Sequence, residues 1–208
     1  MLGSPAMAAP PSLAERLAAD PDLVGAPGGL LVRLAYSTTD NFLKKDVYGD
    51  LERCYLRRSA AASLTRAVAL LRKLRPDLRL LAYDCARPLS VQRAMWRMVR
   101  GTREQPYVAN PVRGSMHNLG CAIDLTLSNS EGRPLDMGTP FDHAGPLAQP
   151  RLERAYVLRG KLTRTQWANR LLLRYVMTRA GFIPLDIEWW HFDCETPARA
   201  RKLFKIIR

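Results

Sequence analysis

Short strand-like segments alternate with amphipathic helices along this chain, and this alternation most constrains its fold. Strand-like apolar patterns cover 29–36, 78–84, 121–127 and 182–193. Helical spacing or helix-capping signals predict helices at 12–20, 57–75, 88–101, 163–180 and 196–207. No internal repeat is visible. The mixture predicts an α+β fold, in which a small, largely antiparallel sheet is flanked by helices.

The remaining segments divide the chain into a short leader and one larger unit. The first eleven residues lack the basic and apolar regions of a signal peptide, so we interpret them as a stub. With the first helix, they define an N-terminal region, 1–28, before a predicted single domain, 29–208. Residues 128–162 carry turn signals and little periodicity, which predicts a long functional loop region.

The formal net charge of the 208-residue chain is +13, which favours anionic partners. Its last third, 151–208, contains 13 lysines and arginines against 5 acidic residues. These cations recur at helical spacing without a nucleic-acid-binding motif, so we predict a solvated basic face and disfavour nucleic acid as a partner. An anionic cell-envelope polymer would suit the same charge.

Neither apolar runs nor cysteine spacing suggests a membrane span or a disulfide scaffold. The densest apolar run, "RLLLRYVM", contains arginines, so no membrane-spanning helix is predicted. The four cysteines form no CxxC pair, and Cys85 and Cys121 lie in apolar strands, where we expect small buried thiols. The compartment, periplasm or cytoplasm, is left open.

Two of the three histidines stand close to carboxylates, in "GSMHNLGCAIDLTL" and "EWWHFD". Hydrolytic zinc needs three protein ligands and one open position, and His117, Asp124 and His191 supply such a set. Glu188 could act as the base that accepts a proton from water. Residues three apart on a regular strand point to opposite faces, so Glu188 and His191 can share a site only if the strand bulges or begins there.

The motifs "YSTTDNF", "YDCARP", "GSMHNLGCAIDLTL", "LDMGTPFDH" and "EWWHF", in this order, resemble those of zinc D-alanyl-D-alanine dipeptidases of the VanX type, within the lysostaphin/hedgehog-like metallopeptidases. The likeness runs from about Leu31 to Phe192. It implies a hedgehog/D-Ala-D-Ala-metallopeptidase-like fold, one zinc ion per chain, a small dipeptide substrate and a bacterial source.

The resemblance also implies a role for individual residues. His117, Asp124 and His191 would be the zinc ligands and Glu188 the general base. Arg87 would meet the oxyanion of the tetrahedral intermediate, a large catalytic contribution in a dry cleft. Asp84 could hold Arg87 in place.

Tyr36, Ser115 and Asp142 would form the pocket for the free amino group of the substrate. Such a pocket would accept a dipeptide and reject a longer chain. The family commonly has an aromatic residue and an arginine where this chain has Ala86 and Leu119. These departures affect the pocket wall rather than the ligands or the base, so they bear on the dipeptide preference.

Three alternatives stay open at this point. A D,D- or L,D-carboxypeptidase acting on cell-wall peptides would keep the zinc set and lose the amine pocket. A closed structural zinc site could be formed by His117, Cys121, His191 and Cys194. A basic binding module would need no metal, and its affinity would fall steeply with salt.

Overall fold

The computed structural model describes residues 9–208, and most of the predicted N-terminal stub lies outside them. The helices are α1 (Leu13–Ala19), α2 (Arg58–Leu74), α3 (Leu89–Val99), α4 (Glu153–Leu158), α5 (Arg164–Arg179) and α6 (Pro197–Leu203). The strands are β1 (Leu23–Gly25), β2 (Leu31–Val32), β3 (Tyr55–Arg57), β4 (Leu78–Asp84), β5 (Ala122–Asn129), β6 (Ile183–Leu185) and β7 (Glu188–Asp193).

Five strands form the main sheet, in the order β2-β4-β5-β7-β6, and β1 pairs with β3 in a small second sheet. β2 runs parallel to β4, whereas every other neighbouring pair in the main sheet is antiparallel. β4 and β5 lie at the centre, and seven of the eight residues of β5 are buried. The predicted α+β class with a largely antiparallel sheet is confirmed.

Helix α2 packs its apolar face on the sheet and on α5. Residues spaced three and four apart form this buried face: Ala60, Leu64, Ala67 and Leu71. Burying a side chain such as Leu64 completely contributes roughly 1.5–3 kcal/mol relative to leaving it in water. The same core cluster includes Leu17 of α1. The predicted boundary at residue 28 stays a prediction.

Several predicted elements differ from those observed. In the predicted strand at 29–36 only Leu31–Val32 pair, because the chain then turns into a 3-10 helix at Ala35–Ser37. The predicted terminal strand is a hairpin of β6 and β7. β1, β3 and α4 lie in segments where no strand or helix was predicted.

The four cysteines form two disulfides, Cys54–Cys85 and Cys121–Cys194. The expectation of buried thiols at Cys85 and Cys121 was therefore wrong. Each bond joins segments far apart in sequence, with separations of 31 and 73 residues. In the chain-entropy account, closing loops of this length stabilises the folded state by roughly 4 kcal/mol per bond.

Across residues 9–208, no helix combines the length and apolar character needed to span a membrane.

Candidate metal centre and active site

Three neighbouring strands bring acidic and imidazole side chains into one row across the sheet. Asp84, at the end of β4, lies opposite Asp124 of β5, and Asp124 lies opposite His191 of β7. A register shift between Ala82 and Asp84 creates the first of these pairs. The row thus depends on a bulge as well as on the order of the strands.

His117 enters the same site from a 3-10 helix, Met116–Leu119, that immediately precedes β5. Ser115 caps this helix: its hydroxyl accepts a hydrogen bond from the N–H of His117 at 3.3 Å. Gly120 ends it with a φ of 66°, in the left-handed region that glycine adopts readily. A Cβ at this position would lie 2.9 Å from Cδ2 of Leu23, so a larger residue would force the end of that side chain to shift.

One donor atom from each of His117, Asp124 and His191 lies within 4.8 Å of the other two, and all three residues are buried. His117 Nε2 is 3.3 Å from Asp124 Oδ2. His191 Nδ1 is 2.9 Å from Asp124 Oδ1 and 3.3 Å from His117 Nε2. Two imidazole nitrogens and a carboxylate oxygen that converge in this way suit a tetrahedral metal with one remaining position.

The second nitrogen of each histidine has its own partner outside the cluster. His117 Nδ1 lies 2.8 Å from the carbonyl oxygen of Cys85, and His191 Nε2 lies 2.9 Å from Asp193 Oδ1. These contacts fix the ring orientations and leave His117 Nε2 and His191 Nδ1 facing the cluster.

The buried charges at the centre shift each other's pKa values. Burial would raise the pKa of Asp124, but the charges and hydrogen bonds of His117 and His191 outweigh it and lower that pKa far below the ordinary value. Burial would lower the pKa of His191, but Asp124 and Asp193 accept hydrogen bonds from its ring and raise it well above the ordinary value. A metal at Nδ1 would replace a proton there, so metal binding at this site should release protons.

Glu188 lies at the start of β7, where the pairing with β6 shifts register. The irregularity expected from "EWWH" is present. As a result, Glu188 Oε2 approaches His191 Nδ1 to 4.0 Å. Burial raises the pKa of Glu188 above its ordinary value, and the nearby His191 partly offsets that effect. A carboxylate with a raised pKa next to the cluster is suited to exchanging protons.

Arg87 is buried beside the cluster and is firmly held. Asp84 accepts hydrogen bonds from Nε and Nη2 of Arg87, and Gln92 Oε1 accepts one from Nη1 at 2.9 Å. The hydroxyl of Tyr48 donates to the other oxygen of Asp84 at 2.5 Å. These contacts use three of the five N–H donors of Arg87 and fix its guanidinium in place.

Tyr36 and Asp142 meet at the other end of the site. The Tyr36 hydroxyl donates to Asp142 Oδ2 at 2.7 Å, and the guanidinium of Arg87 lies 5.2 Å from the centre of the Tyr36 ring. Burial and the charge of Asp124 raise the pKa of Asp142 well above its ordinary value. A ligand ammonium beside Asp142 would favour the ionised carboxylate. Asp142 and Glu188 line one narrow pocket.

Known dipeptidases are similar in sequence to this chain. A family profile described as D-ala-D-ala dipeptidase matches residues 22–208. The chain is 34% identical to the D-alanyl-D-alanine dipeptidase of Escherichia coli (strain K12) over 164 residues, which cover 79% of this chain and 78% of that protein. It is 28% identical to the enzyme of the same name from Enterococcus faecium, over 76% of this chain and 82% of that protein.

The chain belongs to the D-ala-D-ala dipeptidase family. It is therefore a metallopeptidase, as the motifs predicted.

In this family member, the structure brings together all the residues that the sequence singled out for the metal and the base: His117, Asp124, His191 and Glu188. Arg87 and Asp84 lie beside them, and Tyr36 contacts Asp142. Their chemical roles stay predictions. The alternative with four ligands, His117, Cys121, His191 and Cys194, was wrong, because the two cysteines are bonded to each other.

Other residues of the site carried no signal in the sequence. Tyr48 and Gln92 hold Asp84 and Arg87, while Glu104 and Tyr107 line the narrow pocket with Glu188. Gln92 lies within α3, whereas Tyr48, Glu104 and Tyr107 lie in loops and a 3-10 turn. None of the four belongs to a recognisable motif, so only the folded chain identifies them.

The loop that carries Asp142 is held by a buried arginine of α5. Arg170 donates to the carbonyl oxygens of Met137 at 2.6 Å and Leu147 at 3.0 Å. Its guanidinium also lies 5.7 Å from the centre of the Trp189 ring. Arg170 was predicted to lie on a solvated basic face, but it is only 1% exposed. That prediction was wrong for this residue because its charge is paired with Glu153, 3.5 Å away.

Proposed function

We propose that this chain hydrolyses D-alanyl-D-alanine with a zinc ion held by His117, Asp124 and His191. The observation that carries the proposal is the convergence of these three donors within 4.8 Å, beside a partly buried Glu188. The substrate comes from the names of the relatives in the same family, which are D-alanyl-D-alanine dipeptidases.

The donor set supports zinc rather than a hard cation such as magnesium. Zinc accepts nitrogen and oxygen donors in tetrahedral sites, whereas magnesium prefers six oxygen ligands. When bound, such a metal lowers the pKa of water and polarises a carbonyl group.

Glu188 is the group that moves protons in this proposal. Its carboxylate lies in the pocket next to the three ligands, where it can accept a proton from the attacking water. It then returns that proton to the amine that leaves when the peptide bond breaks. Its raised pKa makes the carboxylate a stronger proton acceptor than an exposed glutamate, which favours the first of these two transfers.

Arg87 stabilises the negative charge that develops on the carbonyl oxygen of the substrate. Because Asp84 and Gln92 already fix the guanidinium, it needs little reorganisation when that charge appears.

Asp142 and Tyr36 bind the free amino group of the dipeptide. Asp142 shares the narrow pocket with Glu188, so an ammonium paired with Asp142 would bring the adjacent peptide bond towards the base. A peptide extended at its amino end would leave the partly buried carboxylate of Asp142 without a cationic partner. The pocket therefore favours dipeptides.

The test is release of D-alanine from D-alanyl-D-alanine by the zinc-loaded protein, compared with D-alanyl-D-alanyl-D-alanine and with the Glu188→Gln variant. We expect turnover of the dipeptide alone, and loss of turnover in the variant while zinc stays bound. A zinc-loaded protein that hydrolyses neither peptide would contradict the proposal.

A carboxypeptidase would require a site that is open where the amino end of the substrate lies, so that a longer peptide can extend out of it. The partly buried Asp142 carboxylate and its contact with Tyr36 instead support a closed amine end, which favours the dipeptidase. Cleavage of the tripeptide in preference to the dipeptide would instead favour the carboxypeptidase. An anionic envelope polymer as a second partner stays a prediction from charge.

A further inference from the structure

Asp193 contacts the centre without belonging to the predicted ligand set. It is the last residue of β7, two positions after His191, so both side chains lie on the same face of the strand. Its Oδ1 lies 2.9 Å from His191 Nε2. Within residues 9–208, His191 is the one hydrogen-bond partner of this carboxylate, which is 7% exposed.

A buried carboxylate with a single partner contributes little to stability by itself, because loss of its hydration is costly. Its position matters for a different reason. Nε2 of His191 is engaged by Asp193, so Nδ1 is the nitrogen that faces Asp124 and His117. An N–H at Nε2 leaves the lone pair of the neutral ring on Nδ1, which is the atom a metal would bind.

The two histidines of the centre differ in the strength of this support. His117 Nδ1 donates to a neutral carbonyl, that of Cys85, and the nearest carboxylate oxygen, on Asp84, is 3.7 Å away, whereas His191 donates directly to a carboxylate. A carboxylate makes the ring a stronger electron donor than a carbonyl oxygen does. Asp193 is also held in position, because its backbone pairs with Ala122 on one side and Ile183 on the other.

We propose that Asp193 is a positioning residue that selects the tautomer of His191 and strengthens metal binding at Nδ1. The proposal rests on the proposed metal site and adds a residue to it. It predicts that loss of the carboxylate weakens metal binding even when the fold and the three ligands are intact.

The experiment compares zinc dissociation constants, measured by competition with a chromogenic chelator, for the parent protein, Asp193→Asn and Asp193→Ala. Asp186→Asn serves as the matched control, because it removes the same charge from the exposed turn of the β6–β7 hairpin. We expect about 10- to 100-fold weaker binding for Asp193→Ala, a smaller loss for Asp193→Asn, and none for the control. Visible spectra of the cobalt-loaded proteins should shift in the Asp193 variants alone.

Thermal unfolding without metal separates this effect from damage to the fold, and Asp193→Asn is close enough in shape to fold if Asp193→Ala does not. A folded Asp193→Asn variant with the zinc affinity and the cobalt spectrum of the parent would overturn the proposal. A parent protein that binds no zinc would instead overturn the proposed function, so the two failures are distinguishable.

The disulfides carry a second inference, about where the chain matures. The Cys54–Cys85 bond constrains Cys85, whose carbonyl oxygen accepts a hydrogen bond from His117 Nδ1. The Cys121–Cys194 bond joins the residue before β5 to the residue after β7, and these strands carry Asp124 and His191. Both bonds thus brace segments that present metal ligands.

We infer that the functional chain is the oxidised one, and that it matures in an oxidising compartment such as the bacterial periplasm. Disulfides persist in such compartments and are rare in reducing cytosol. Each bond forms from two thiols with loss of two protons and two electrons, which pass to the disulfide of a thiol–disulfide oxidoreductase.

Thiol alkylation of the protein from its natural source, quenched in acid before purification, tests this inference. We expect no alkylation before reduction and four modified cysteines after it, counted by mass. Alkylation at either pair before reduction would overturn the inference. In a companion measurement, reduction with a phosphine should weaken zinc binding, and an unchanged dissociation constant would overturn the link to the metal site.

Discussion

The two ends of the active site are held by different means. At the metal end, strand pairing sets Asp84, Asp124 and His191 in one row, and two disulfides brace the flanking segments. At the substrate end, the loop with Asp142 has no strand partner at that residue and is tied to α5 by Arg170. Main-chain pairing thus fixes the groups expected to do chemistry, whereas side-chain contacts fix those expected to select the substrate.

The backbone of Asp142 sharpens this contrast. Its φ of 59° lies in the left-handed region, which non-glycine residues seldom occupy. Such a conformation persists only where the surroundings impose it. Arg170 supplies part of that constraint through the carbonyls of Met137 and Leu147, on either side of Asp142.

The largest effect is expected at the metal end, from Glu188→Gln. Loss of the base should lower kcat/KM for D-alanyl-D-alanine by about 10²–10⁴-fold, because general acid–base catalysis contributes that much. Zinc content, measured by atomic absorption, should stay at the parent level. Residual activity close to the parent value would show that another group takes the proton.

At the substrate end, Arg170→Met should separate the two regions. It removes the ties to the loop and leaves part of the charge of Glu153 uncompensated, so we expect the free energy of unfolding to fall by about 3 kcal/mol. KM should rise while the zinc dissociation constant stays near that of the parent. Urea unfolding, steady-state kinetics and chelator competition provide the three measurements.

Arg174→Met is the control for Arg170→Met. Arg174 also pairs with Glu153, at 2.6 Å, but its side chain is 25% exposed and makes none of the loop contacts assigned to Arg170. Arg174→Met should lower the free energy of unfolding by less than Arg170→Met does, and it should leave KM unchanged. If both variants raise KM equally, the loop is not held specifically by Arg170.

A smaller effect is expected from Asp142→Ala, which tests amine recognition without touching the metal ligands. Loss of a charge-assisted hydrogen bond of about 1.5–3 kcal/mol corresponds to roughly 10- to 100-fold in kcat/KM for the dipeptide. Blocking the amino group of the substrate by acetylation should affect the parent strongly and the variant little. An equal effect on both proteins would place amine recognition elsewhere.

The smallest effect is expected in the pH dependence of dipeptide hydrolysis. Glu188 must be ionised to accept a proton, and burial raises its pKa, so activity should be present above that pKa and fall as the pH drops through it. The midpoint of this acid limb should lie above the ordinary value for glutamate. Zinc content must be followed across the same range, because protonation of His191 would also reduce activity by releasing metal.

The metal end could be predicted from the sequence because short motifs carry it. His117 and Asp124 lie within one stretch of fourteen residues, and Glu188 and His191 within another of four. Each stretch contains its own local geometry, a 3-10 helix leading into a strand or an irregular strand start. Their approach to each other follows from the β5–β7 pairing. The family resemblance implied a shared metal site but not this pairing.

The supports of the site could not be predicted in the same way. Four cysteines allow three pairings, and neither their spacing nor their apolar surroundings distinguishes a thiol from a disulfide. Arg170 follows the helical spacing of its exposed basic neighbours, so its burial depends on partners 17 or more residues away in sequence. From the sequence, Asp193 is only a polar residue at the end of a strand. Its contact with Nε2 of His191 becomes visible only when the orientation of that ring is known.

The Cys121–Cys194 bond also determines how the protein responds to proteolysis. It encloses the whole loop region 128–162 and the helix that anchors it, so a single cut anywhere between the two cysteines leaves both fragments covalently joined. A clipped molecule would run as a full-length chain on a non-reducing gel and separate into two bands only after reduction. A cut in the loop that carries Asp142 would thus abolish dipeptide selection, while the two fragments stay joined and together keep the mass of the whole chain.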